Sequence, residues 1–148
     1  MKRVIRHILL KLRSDDGAVT AEFVIIFPIV VALIGFLVLI SLMISTTSDV
    51  QQVAHELARK SFRHLNGSNP PSDVCQKLRQ DDLAGIVSET LLVRAEKLTL
   101  RPCPGQPDDQ GRVTITVDYN FGGDFVQGLG RSFGIDLGTI TRSSVTFL

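Results

Sequence analysis

The sequence predicts an α+β protein: a long N-terminal helix, apolar enough in its first half to cross a membrane, continues into an amphipathic helix that packs on a small antiparallel β-sheet. Three observations predict it. No charged residue lies between Glu22 and Asp49. Beyond that gap, apolar residues from Val50 to Leu65 recur at spacings of three and four, the period of one helix face. From Arg112 to Phe121, apolar and polar residues alternate, the period of a strand with one buried face.

A chain of 148 residues has room for one domain and an appendage. The net charge of +1 gives no global preference for nucleic acid or a polyacidic substrate. The charge is unevenly placed: Lys2, Arg3, Arg6, Lys11 and Arg13 crowd the first positions. The two cysteines, Cys75 and Cys103, both follow the apolar run. In an exported domain an even count reads as one disulfide, closing a loop of about 28 residues and contributing roughly 3–4 kcal/mol. The other reading is two unrelated buried thiols. Two cysteines this far apart do not suggest a zinc site.

Phe23 to Ile44 carries no charge, and Ser41 is its one polar side chain. About 22 residues at 1.5 Å each make roughly 33 Å, enough to cross a hydrocarbon core of about 30 Å. A cleaved secretory signal has a shorter apolar region and a small-x-small exit, which Leu42-Met43-Ile44-Ser45-Thr46 does not supply. The run therefore reads as a retained single span. The basic leader puts the amino terminus in the cytoplasm and the following domain outside, which in a bacterium is the periplasm. Pro28 removes the helical hydrogen bond to Val24. It is either a bend needed for packing in an assembly or a tolerated membrane proline.

Glu22 stands at the head of this run. Proximity to the interface and to the positive end of the helix dipole lowers the cost of an acid there. Its setting is more specific than that. Basic leader, Gly17, an acid five residues on, Phe23 and an immediate membrane-length helix occur together in Asp15-Asp16-Gly17-Ala18-Val19-Thr20-Ala21-Glu22-Phe23. This pattern resembles the type IV prepilin processing site. More closely, it is similar to the TadE/TadF family, minor pseudopilins of the tight-adherence (Flp, type IVb) pilus. Phe23 follows the acid where major Flp pilins carry tyrosine, and the chain continues about a hundred residues past the span.

The resemblance implies a structural assembly component with no enzymatic activity and no cofactor. A prepilin peptidase would cut after Gly17, whose lack of a side chain lets the backbone enter a protease site closely. Ala18 would become the new terminus and Glu22 the fifth mature residue. The freed ammonium and the carboxylate would sit one helical turn apart, and each could pair with the other or with a neighbouring subunit. The implied organisation is a leader over 1–17, a transmembrane helix over 18–45 and a periplasmic pilin-like domain over 46–148. Implied partners are the peptidase, other pilins and pseudopilins, the inner-membrane assembly platform and the lipid bilayer. The implied location is the bacterial inner membrane or a pilus built from it. The rival expectation is an uncleaved, membrane-anchored periplasmic binding module or accessory factor.

After the span, Val50, Val53, Ala54, Leu57, Ala58, Ser61, Phe62 and Leu65 make the apolar stripe, opposite Glu56, Arg59, Lys60 and Arg63. The spacing predicts one helix from about Thr20 to Leu65, stopped by Asn66-Gly67 and Pro70-Pro71. Ser72 or Asp73 can cap a second helix. Val74, Leu78, Leu83, Ile86, Val87 and Leu91 give that helix a broken apolar face, with a fresh turn near Asp81-Asp82. A short strand is expected over Lys97–Leu100, then a turn rich in proline and glycine. In the Arg112–Phe121 strand, Val113, Ile115, Val117 and Tyr119 share one face. Gly122 to Gly134 reads as a glycine-rich loop held by Phe125, Val126, Leu129 and Phe133, and Gly138 to Phe147 as the closing strand.

Other motifs carry little. His55-Glu56 begins a zinc-protease helix without the second histidine, so His55 reads as a solvated helix residue. His7 belongs to the leader and His64 to the helix end. Gly128-x-Gly130 has no strand-helix-strand unit after it. Asp118, Asn120 and Asp124 weakly resemble a calcium loop but lack the closing glutamate.

Overall fold

The structure, a computed structural model, describes residues 15–67 and 69–148, with side chains from Glu22 onward. The leader residues Lys2, Arg3, Arg6, His7, Lys11 and Arg13 lie outside the described residues, as does Ser68. Contacts divide the chain into two compact units, Met1–Val38 and Leu39–Leu148. Both take part in one helix, α1 (Asp15–Leu65), which begins five residues before the expected start and ends where Asn66-Gly67 predicts. Pro28 lies inside α1 without ending it.

In the first unit the described side chains are those of an apolar, mostly exposed helix. Phe23 and Ile29 are more than 60 % exposed, and Val24 to Leu37 contribute most of the large exposed apolar residues of the chain.

The second unit is α+β. After α1 come α2 (Val74–Asp81), α3 (Leu83–Ser88), a short 3₁₀ turn Ala95–Lys97, β1 (Leu98–Leu100), β2 (Arg112–Asn120), α4 (Phe125–Ser132) and β3 (Thr139–Phe147). The strands form one antiparallel sheet in the order β1-β2-β3, with Leu100 opposite Val117 and Ser144 opposite Ile115. Alternation in β2 does what it predicts: Val113, Ile115, Val117 and Tyr119 are all fully buried. They share a core with Leu39, Val50, Val53, Ala54, Leu57 and Ala58 of α1 and with Val74, Leu78, Ile86 and Val87 of the short helices. A three-stranded sheet with one apolar face needs that helix to cover it. Two polar links fix the helix on β3: the Gln51 amide donates to the Ser143 carbonyl at 3.1 Å, and His55 Nδ1 is hydrogen-bonded to Ser144 Oγ at 2.7 Å. His55 is thus exposed, as expected of a solvated residue, yet tied to the sheet.

Asp73 takes the cap of α2, accepting from the amides of Cys75 at 2.9 Å and Gln76 at 3.3 Å. The same oxygen accepts from the amide of Cys103 at 3.2 Å, and Cys75 and Cys103 are joined in a disulfide. Beyond β1, Gln106 continues the ladder with its side chain, donating to the Thr114 carbonyl and accepting the Thr114 amide. Its amide group satisfies an edge that a short strand leaves open.

Three expectations are corrected. Gly122 to Gly134 is not a loop throughout: α4 occupies Phe125–Ser132. Val126, Leu129 and Phe133, spaced by three and four, face the core. Gly130 is required by a close approach, because a Cβ there would stand 2.9 Å from the Ile135 carbonyl oxygen. Gly134, at φ +75°, ends the helix while the Ile135 amide donates back to the Gly130 carbonyl. Phe125, expected to hold the segment, is instead 73 % exposed, and Leu91, expected on the apolar face, is 93 % exposed. Both sit just outside regular packing, Leu91 past the end of α3 and Phe125 on the open side of the first turn of α4. The weak calcium pattern is also dispersed. Asp118 is held by Arg101 and Thr141, Asn120 accepts the Gly122 amide, and Asp124 binds Lys97 and Tyr119.

Asp82, between α2 and α3, is nearly buried and gathers Arg63 and His64 at 2.7 Å and Lys60 at 3.3 Å from the end of α1. Burial pushes its carboxyl up, but the hydrogen bonds from His64, Lys60 and Arg63 outweigh burial and hold it below the usual carboxylate range. A depressed folded value contributes stability above the unfolded value of about 3.9, lost as pH falls through that value and on through the folded one. Asp82→Asn is therefore expected to reduce stability at neutral pH and to flatten its decline below about pH 4, which acid titration of both proteins checks.

Candidate functional site

The candidate site is the head of α1 and the apolar run behind it. The peptide between Gly17 and Ala18 lies near the start of α1 at Asp15. The side chain of Ala18 lies outside the described residues.

Glu22 is exposed, and Phe23, also exposed at 62 %, stacks obliquely on Phe27 with ring centroids 5.4 Å apart. One turn on, the exposed Pro28 interrupts the hydrogen-bond ladder but not the helix. From Glu22 onward the helix meets the length and composition needed to cross a membrane. Its side chains offer an unbroken apolar surface with a single carboxylate at the upstream end, and an aqueous monomer does not leave such a surface uncovered. The arrangement is suited to lipid or to the same helices of other chains, with Glu22 as the one charged group among the described side chains from 22 to 48.

Asp73, Cys75 and Cys103 come within metal-ligating distance, but the two sulfurs are bonded to each other and are not thiolates. The hollow beside them, lined by Asp73, Gln76, Arg79 and Pro102, is shallow, at about 180 Å³. Several ionisable groups of the second unit serve the fold. Tyr119 donates to Asp124 at 2.6 Å, Lys97 pairs with the other oxygen of Asp124, and Arg101 and Thr141 share Asp118. Sequence reasoning missed the Asp82 and Asp124 clusters, whose members are scattered along the chain. It also missed the exposure of Leu91 and Phe125.

Of the residues singled out from sequence, the structure brings Cys75 and Cys103 together and sets Gly17, Ala18, Glu22, Phe23 and Pro28 along one helix. Compared with known families, residues 17–59 match the family described as TadE-like protein. The matched stretch opens at Gly17 and closes within the apolar stripe of α1. No curated protein and no solved structure matches the chain.

Proposed function

We propose that this chain, TadE-like over residues 17–59, is a minor pseudopilin of a tight-adherence pilus, made as a precursor and cut after Gly17 by a prepilin peptidase. The carrying observation is that the TadE-like match begins at the glycine that heads the exposed apolar helix, with Glu22 as the carboxylate at its mouth. Residues 1–17 are the leader, 18–45 the transmembrane helix and 46–148 the periplasmic domain. The leader stays in the cytoplasm because its lysines and arginines resist translocation. The disulfide suits the oxidising side of the membrane.

Once cut, Ala18 carries an ammonium and Glu22 a carboxylate, one helical turn apart. In the bilayer neither charge is tolerated alone, so the carboxylate meets the terminal amine of its own or a neighbouring subunit. Apolar helix surfaces supply contact between subunits, and the charge pair sets their register. The protein is thus a substrate of the peptidase and a partner of other pilins and of the assembly platform.

The test is Glu22→Ala, with Glu22→Gln beside it. The variants are expected to remain membrane-inserted at wild-type levels. Co-purification with other pilus subunits is expected to fall by about tenfold or more, the effect of losing one desolvated ion pair. Undiminished co-purification and normal piliation would exclude this role for the carboxylate.

A further inference from the structure

The compact second unit begins at Leu39, inside the uncharged run. Leu39 is fully buried in the core of that unit, and Leu42 and Met43 pack against the same core. The part of the uncharged run upstream of this unit is positions 23 to 38, about 16 residues or roughly 24 Å, whereas the whole run from Phe23 to Ile44 makes roughly 33 Å, enough for a hydrocarbon core of about 30 Å. If α1 spans the bilayer over its uncharged run, the membrane reaches past Leu39, to the level where the domain packs on the helix.

What the domain shows at that level is apolar. Leu91 and Phe125 line one hollow of about 170 Å³ together with Leu42 and Thr46 of α1. They are 93 % and 73 % exposed, the most exposed large apolar side chains of the described residues. Ile44, on the helix turn between Leu42 and Thr46, is 65 % exposed. Thr46 turns its hydroxyl onto the Leu42 carbonyl at 2.9 Å, while the exposed Ser41 and Ser45 keep hydroxyls at this level, as a lipid interface tolerates. Two charged residues line the same hollow. Asp124 is already neutralised by Lys97, whereas the exposed Arg94 suits a phosphate at the headgroup level.

We infer that Leu91 and Phe125 dip into the lipid interface beside α1, seating the domain on the bilayer at the level of Leu39 to Ile44. This rests on the reading of α1 as a membrane span. Lipid is favoured as the occupant because Leu91 and Phe125 stand beside Leu42 of the uncharged run, with Ile44 exposed on the same stretch of helix.

The test uses the full chain in phosphatidylcholine–phosphatidylglycerol nanodiscs. Leu91→Cys and Phe125→Cys, each labelled with an environment-sensitive fluorophore, are compared with Val31→Cys in the apolar run and Gln110→Cys at the far end of β2. Lipids carrying a nitroxide high on the acyl chain are expected to quench the labels at positions 91, 125 and 31 by roughly half or more, as interfacial burial of about 5–10 Å requires, and to spare position 110. Quenching at 31 without quenching at 91 and 125 overturns the interfacial seat and leaves the membrane span standing. No quenching at 31 overturns the span itself. Labels at 91 and 125 shielded from water but insensitive to the nitroxide would assign the surface to a second protein chain, against this inference.

Discussion

Cys103→Ser is expected to destabilise the second unit by about 3–4 kcal/mol, as is reduction of the native protein. In the chain-entropy treatment, opening a 28-residue loop restores that much freedom to the unfolded chain. The bond links the first turn of α2 to the segment after β1, and both cysteines are buried. Asp73 binds the amides on both sides of the link, so its carboxylate holds the two segments in place only while they stay together. Urea unfolding of the detergent-solubilised chain, with and without reductant, measures the effect. Cys75→Ser should match Cys103→Ser, and the double variant should be no worse than either, because a single bond is lost in all three. Equal midpoints with and without reductant would contradict this account of the bond.

Asp124→Ala is expected to cost about 3 kcal/mol, because it takes the carboxylate from two buried partners. The Tyr119 hydroxyl, on a fully buried residue, loses the acceptor it reaches at 2.6 Å. The Lys97 ammonium, 16 % exposed, loses its carboxylate and keeps the Gly122 carbonyl at 2.7 Å. Most of the cost lies in the orphaned charge, so adding Lys97→Met to Asp124→Ala should recover part of the loss, which a double-mutant cycle reads. Burial pushes the Tyr119 hydroxyl well above its ordinary value, and the hydrogen bond to Asp124 and its charge add to this. A raised folded value means full stability below the unfolded value of about 10 and a decline as pH climbs past it, measurable by alkaline titration. An Asp124→Ala protein as stable as the parent would show that Tyr119 and Lys97 find other partners.

Features set by local rules were legible in the sequence. The period of two in β2, the stripe from Val50 to Leu65 and the stop at Asn66-Gly67 each need only a few neighbouring residues to declare themselves. The head of α1 was legible for the same reason: glycine, acid and apolar run lie within a few positions. Tertiary causes hid the rest. In α4, two glycines of low helix propensity obscured the spacing of Val126, Leu129 and Phe133, and Gly130 is present for its contact with the Ile135 carbonyl. Asp82 draws its partners from positions 60 to 64, a separation that no periodicity reports. Leu91 looked like a core residue because its spacing from Val87 is helical, but α3 has already ended at Ser88.

The pairing of Glu22 with a newly exposed amine requires that the peptide after Gly17 be broken. Intact mass and amino-terminal sequencing of the chain purified from membranes of a piliated strain test this directly. The expected polypeptide begins at Ala18 and lacks the mass of residues 1–17. A polypeptide that still begins at Met1, in cells whose prepilin peptidase is active, would contradict it.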